Sequence, residues 1–177
     1  MNKARKKIIL HAGDYCFDQA GTHVHTLLGS CVSITLWHPE LKVGGMCHYA
    51  LPYNQDESSR ELNPRFGDDC MQLFKRSVRR YGTVISDYQA KIFGGGNMYE
   101  KQVKDPLDDI QRLPVGDKNV MAAYEFLQHE GANILVAHVG EFGHRRIIFN
   151  ISTGEVWVKF TPTGSQAGNQ RVLSGRS

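Results

Sequence analysis

The chain has 177 residues, 41% of them hydrophobic and 22% charged, and a formal net charge of +3. That size and balance describe one globular domain with a buried core. They exclude a nucleic-acid groove, because the basic clusters at residues 3–7, Lys75-Arg76 and Arg79-Arg80 come with no nucleic-acid motif and read as solvated faces.

The basic start is followed by only Ile8-Ile9-Leu10, short of the ~7–15 apolar residues of a signal peptide. No stretch approaches the ~20 apolar residues of a membrane-spanning helix, so a cytoplasmic protein is expected. Residues 1–6 read as a flexible N-terminus, 7–161 as a single domain without repeats or a linker, and 162–177 as a flexible polar tail.

In chain order, residues 7–12 predict a short strand. Residues 13–21 read as polar turns around a half-buried Tyr15-Cys16-Phe17. Residues 22–28 predict a strand. Residues 31–37 alternate, with Val32, Ile34 and Leu36 on one face, and predict another. His38-Pro39-Glu40 ends it. Residues 43–51 predict a third strand, stopped by Pro52, that returns antiparallel to its predecessor. Residues 53–65 read as a polar loop. From Phe66 to Tyr81 apolar residues recur at helical spacing, with Asp68 and Asp69 at the start, Arg79 and Arg80 at the end, and Gly82 as a stop.

Residues 84–86 predict a short strand and 90–93 another, running into Gly94-Gly95-Gly96-Asn97-Met98. This is not a nucleotide loop: no Walker pattern is present, and Tyr99 stands where G-x-G-x-x-G needs its last glycine. A positive φ or a close backbone approach explains the glycines better. Residues 101–114 read as irregular. Asp117 is expected to cap a helix that runs through Leu127 to Gly131. Residues 134–138 predict a strand, 140–146 a loop with two arginines, and 147–151 with 156–160 a hairpin around Ser152-Thr153-Gly154-Glu155.

Two stretches carry chemistry. Thr26-Leu27-Leu28-Gly29-Ser30-Cys31-Val32 delivers a cysteine after a small-residue turn. Gly44-Gly45-Met46-Cys47-His48 delivers a histidine at the end of the adjacent strand. A thiol that ordinarily titrates near ~8.5 becomes a nucleophile once an imidazole takes its proton, leaving a thiolate–imidazolium pair. The turn at Gly29 and Ser30 is slim enough to aim amide N–H groups at an oxyanion, where one donor is typically worth ~3–4 kcal/mol.

The competing readings are plain. The four cysteines, Cys16, Cys31, Cys47 and Cys70, show no C-x-x-C pairing and suit free core thiols. Cys47, on the opposite strand face from His48, is read as core. A metal site of His23, His25, Cys31 and His48 lacks the tight ligand pairs zinc prefers, so no metal and no cofactor is expected. Nothing in these residues separates a peptide amide from a glutamine amide.

These stretches, together with Tyr49-Ala50-Leu51-Pro52, Lys91-Ile92-Phe93-Gly94-Gly95-Gly96-Asn97-Met98 and Val115-Gly116-Asp117-Lys118-Asn119-Val120, and more weakly Val139-Gly140 through Arg146, resemble the chemoreceptor glutamine deamidases of the CheD family over roughly residues 8–160. The resemblance implies an α/β fold, a mixed β-sandwich with helices packed on one side. It implies hydrolysis of glutamine side-chain amides on methyl-accepting chemotaxis receptors, with methylesterase activity credited to some members. The family's cysteine falls on Cys31 and its histidine on His48. Its threonine falls on Thr26, or one residue earlier in some relatives, where this chain has His25. The implied partners are the receptors and, in some organisms, the phosphatase CheC. A chain that only docks these partners is the non-enzymatic alternative. A monomer without membrane insertion is the default expectation.

Overall fold

A computed structural model describes residues 4–59, 61–98 and 113–163, and the backbone of 172–174. Most of the expected tail and of the irregular stretch 101–114 lies outside the described residues. Among the described residues, no helix is long and apolar enough to cross a membrane.

The strands are β1 (Lys6–Leu10), β2 (Tyr15–Gln19), β3 (Thr22–Leu28), β4 (Val32–His38), β5 (Val43–Cys47), β6 (Gln89–Gly94), β7 (Asn133–Val139), β8 (Gly143–Asn150), β9 (Val156–Pro162) and β10 (Val172–Ser174); the helices are α1 (Gly67–Arg79) and α2 (Val115–His129). One sheet runs β1-β3-β8-β9-β10 and the other β2-β5-β4-β6-β7. Each is mixed: β1 lies parallel to β3 and β7 parallel to β6, and the remaining pairs are antiparallel. Both helices pack on the second sheet, which gives the expected α/β sandwich with its helices on one side.

Strand β4 shows why the layers stack this way. It is buried on both faces over Val32 to Trp37, as a central strand covered twice must be. Val32, Ile34 and Leu36 pack toward the helices with Cys70, Phe74, Ala123 and Leu127. Trp37 packs the other way, with Met46, Phe93, Val24, Phe149 and Val158, in the core between the sheets.

Several expectations are corrected. Residues 15–19 form a strand, not turns, because Tyr15 to Gln19 pair along β5. Residues 85–87 form a 3-10 turn, not a strand: Asp87 Oδ2 accepts the Val84 N–H at 2.9 Å, and that local bond replaces a ladder bond. Helix α2 starts at Val115 with Pro114 at its N-cap, so Asp117 sits in the first turn and does not cap. Residues 143–146 belong to β8, not to a loop, and Arg145 in it is fully buried.

The double glycine of β5 is set by crowding. A Cβ on Gly45 would lie 2.6 Å from the Cys16 carbonyl oxygen and 2.6 Å from the Phe17 ring. Gly45→Ala is expected to lower stability by about 1–3 kcal/mol in denaturant unfolding, because neither a strand backbone nor a packed ring can retreat far.

Candidate functional site

The turn Gly29-Ser30-Cys31 carries the chain from β3 in one sheet to β4 in the other. All three of its carbonyls are held. Gly96 N–H donates to the Gly29 oxygen and Gly95 N–H to the Cys31 oxygen, each at 2.8 Å. Asn119 Nδ2 donates to the Ser30 oxygen at 3.0 Å and to the Ala50 oxygen at 2.9 Å. One buried amide on α2 therefore ties the cysteine turn to the segment that follows His48.

The glycine loop can do this only without side chains. Gly94 has φ +109°, and a Cβ there would collide with the Cys31 carbonyl oxygen. On the helix side, a Cβ on Gly116 would sit 2.6 Å from the Gly95 oxygen, so α2 approaches the loop at backbone distance. Arg145 braces the loop from below: Nε donates to His138 Nδ1 at 2.7 Å, Nη2 to the Gly140 oxygen at 2.8 Å and Nη1 to the Gly94 oxygen at 3.3 Å.

His48 arrives from the other direction. Past Cys47 the β5 chain pairs once more with β4, Tyr49 and Val32 exchanging N–H···O bonds of 3.0 and 3.1 Å. His48 N–H donates to the Asp14 oxygen at 3.0 Å, and the His48 oxygen accepts the Gly13 N–H at 2.8 Å. Its ring is buried, with Nδ1 2.7 Å from Thr26 Oγ1. Thr26 Oγ1 donates its only proton to the Leu10 carbonyl at 2.8 Å. The hydroxyl can then only accept from the ring, so Nδ1 carries the proton and Nε2 the lone pair.

Of the two residues considered for the third position, Thr26 is the one that meets His48. Thr22, Val24, Thr26 and Leu28 line the buried face of β3, and His23 and His25 lie on the opposite one.

Cys31, His48, Thr26 and Gly29 line one cavity of about 560 Å³. A larger cleft of about 740 Å³ lies between residues 51–56 and α2 and contains none of them. Chemistry, not volume, marks the site. Cys47 and Cys70 are fully buried in the helix-side core, and Cys47 lies away from this cavity. Among the described residues, no group of three or more His, Cys, Asp or Glu side chains is placed to hold a metal ion.

Burial decides the charge state. It pushes the Cys31 thiol above its ordinary value, partly offset by the Arg65 guanidinium. It pushes the His48 imidazole down to about 4, against a smaller opposing pull from Asp14. Both shifts favour the uncharged forms, thiol and neutral imidazole, over the thiolate–imidazolium pair expected from residue types, because burial strips solvent from either ion.

Sequence reasoning missed Asn119, Arg145 and the Leu10 carbonyl as parts of the site. Asn119 and Arg145 do fall inside stretches that carry the family resemblance. The Leu10 carbonyl leaves no trace in side-chain identity.

A family described as CheD chemotactic sensory transduction matches residues 50–160. The chain is 38% identical over 161 residues to the probable chemoreceptor glutamine deamidase CheD 3 of Dechloromonas aromatica (strain RCB), covering 91% of each chain. It is 39% identical over 156 residues to the probable chemoreceptor glutamine deamidase CheD of Pseudomonas syringae pv. tomato, covering 88% of this chain and 90% of that one. Cys31, His48 and Thr26 precede the family match, but an alignment spanning 91% of the chain includes them. Among solved structures it is similar to the Bacillus licheniformis hypothetical protein YfiH, with a TM-score of 0.41 and 17% identity over 71% of this chain and 49% of that one, a likeness that carries no argument.

The depressed imidazole makes a stability prediction. Unfolded His48 binds a proton near its ordinary 6.5 and folded His48 only near about 4, so between these values the unfolded state holds more protons. Stability is full above pH 6.5 and falls as pH drops toward 4, by up to about 3 kcal/mol from this residue. Urea unfolding of wild type and His48→Gln across that window checks it: the variant should lack this part of the acid loss.

Proposed function

The chain belongs to the CheD family, and on that premise we propose that it is a cysteine-dependent amidohydrolase that converts specific glutamine side chains of chemotaxis receptors to glutamate. The observation that supports this best is the ordered chain Leu10 carbonyl, Thr26 hydroxyl, His48 ring, which leaves the lone pair on Nε2 of a ring that lines the same cavity as Cys31.

In this mechanism Cys31 Sγ attacks the glutamine Cδ as its proton passes to His48 Nε2. Backbone amides of the pinned turn at Gly29, Ser30 and Cys31 hold the oxyanion. The C–N bond breaks, the imidazolium gives its proton to the departing nitrogen, and ammonia leaves a thioester. His48 then takes a proton from water as the hydroxide adds. The C–S bond breaks, the thiolate recovers the proton, and the product ionises to glutamate. A γ-methyl ester follows the same path with methanol as the leaving group, which accounts for a methylesterase activity at this site. Thr26 positions the ring throughout: the imidazolium keeps its Nδ1–H bond, so protonation requires no rearrangement.

Peptide mass spectrometry of a receptor cytoplasmic fragment tests the reading. Wild type should convert amide to acid at defined glutamines, and Cys31→Ala should convert none while remaining folded; turnover by Cys31→Ala refutes the assignment. His48→Ala should be slower by at least about 10²-fold. Thr26→Val, which removes the acceptor that holds the tautomer, should lose up to about 10⁴-fold in kcat, with Thr26→Ser staying closer to wild type.

A further inference from the structure

The sheet containing β1, β3, β8 and β9 packs one face on the inter-sheet core, and among the described residues its other face carries no helix, because α1 and α2 pack on the second sheet. Strand alternation sets what that open face displays. Ile9, His25, Ile148 and Trp157 stand in register as one row across four strands, and Leu27, Arg146 and Lys159 form the next. Ile9 is 55% exposed, Leu27 54% and Trp157 36%, a large apolar display for the face of a single sheet. Lys7, Arg146 and Lys159 frame it. Among the described residues, no outward position of these four strands is Asp or Glu.

The face runs into the candidate site. Lys7, Ile9, His25, Leu27 and Arg146 line the same cavity as Cys31 and His48. Among the described residues, the open sheet face is therefore continuous with the cavity that Cys31 lines.

We propose that this open sheet face docks the segment that bears the target glutamine, an amphipathic acidic segment whose apolar side covers the Ile9–Trp157 row and whose carboxylates meet Lys7, Arg146 and Lys159. The proposal rests on the deamidase reading above and adds what the substrate must be. Two features select this occupant. Outward cations on strands that show no outward Asp or Glu among the described residues complement carboxylates, and they disfavour a second copy of the same basic face. The apolar row running to the cavity rim needs a ligand with its own apolar side, which a free anion lacks. One consequence follows for the reaction itself: each deamidation turns a neutral amide into a carboxylate, so a segment already processed at one position docks better for the next.

The test separates docking from turnover. Fluorescence anisotropy would follow the full chain carrying Cys31→Ala as it binds two labelled helical peptides. Both hold one glutamine and an apolar stripe; one has glutamates one helical turn to either side, and the other has glutamines there. The acidic peptide should bind at least tenfold more tightly at low ionic strength, with the advantage shrinking as salt is added. Arg146→Glu with Lys159→Glu should abolish that advantage. Arg79→Glu with Arg80→Glu, an equal charge change at the far end of α1, should preserve it. Equal affinity for the two peptides, or equal loss in the two charge-reversed proteins, overturns the proposal, as does self-association of the wild type that buries Trp157. Far-UV dichroism of each variant verifies the fold. Wild-type conversion of the same peptides is read in parallel. Docking as described with no conversion refutes the catalytic reading alone; conversion with charge-blind docking refutes this inference alone.

Discussion

Three consecutive carbonyls, on Gly29, Ser30 and Cys31, are held by donors from two separate parts of the chain, and the rest of the site depends on that grip. A three-residue link between sheets has no ladder of its own to fix it. Here Gly95, Gly96 and Asn119 supply the missing partners, so the thiol is positioned by buried backbone bonds and not by its own rotamer alone. The further requirements cascade from this one. The glycine loop must come within hydrogen-bond reach, so Gly94 can bear no Cβ; α2 must approach the loop at backbone distance, so Gly116 can bear none; and the loop needs support beneath it, which Arg145 gives through three bonds.

The second constraint is dryness. Thr26 and His48 are buried, and the thiol is half-buried beside them. Burial favours the neutral imidazole and the neutral thiol, so in the proposed mechanism sulfur gains charge only as it bonds to carbon, with Nε2 taking the proton in the same movement. A resting thiolate would instead be open to any electrophile or oxidant. The Leu10 carbonyl completes the arrangement by fixing which way the Thr26 hydroxyl points, and through it which ring nitrogen is basic. In the proposed mechanism this directional relay takes the part that a buried carboxylate plays in other triads, without placing a second charge in the interior.

Elements with strong local periodicity were legible. The strand over Thr22–Leu28, the alternation of β4 and the amphipathic α1 all follow from residue spacing. So did the antiparallel return of β5 along β4, because a short turn between two strands leaves few other options. Elements with mixed signals were not. Tyr15 to Gln19 looks like turn chemistry and is a strand because β5 offers it a partner. Arg145 looks like a loop residue and is interior, because its three acceptors come from residues 94, 138 and 140, which only folding brings together.

Read alone, the sequence pointed to a cysteine on a slim turn and a histidine on the neighbouring strand as neighbours, and the two line one cavity, since residue type, spacing and strand order are local properties. It also marked Gly94 to Gly96 as a place of close backbone approach. Only the tertiary structure decided that Thr26 and not His25 meets the ring, because the two differ by one residue and hence by a whole sheet face. It alone showed that burial favours the neutral thiol and the neutral imidazole, since that depends on the solvent removed by the assembled layers. And it alone showed that the outer face of the β1-β3-β8-β9 sheet leads into the cavity, because that surface is built from strands far apart in the chain, whose alternation has one meaning only once their register is set.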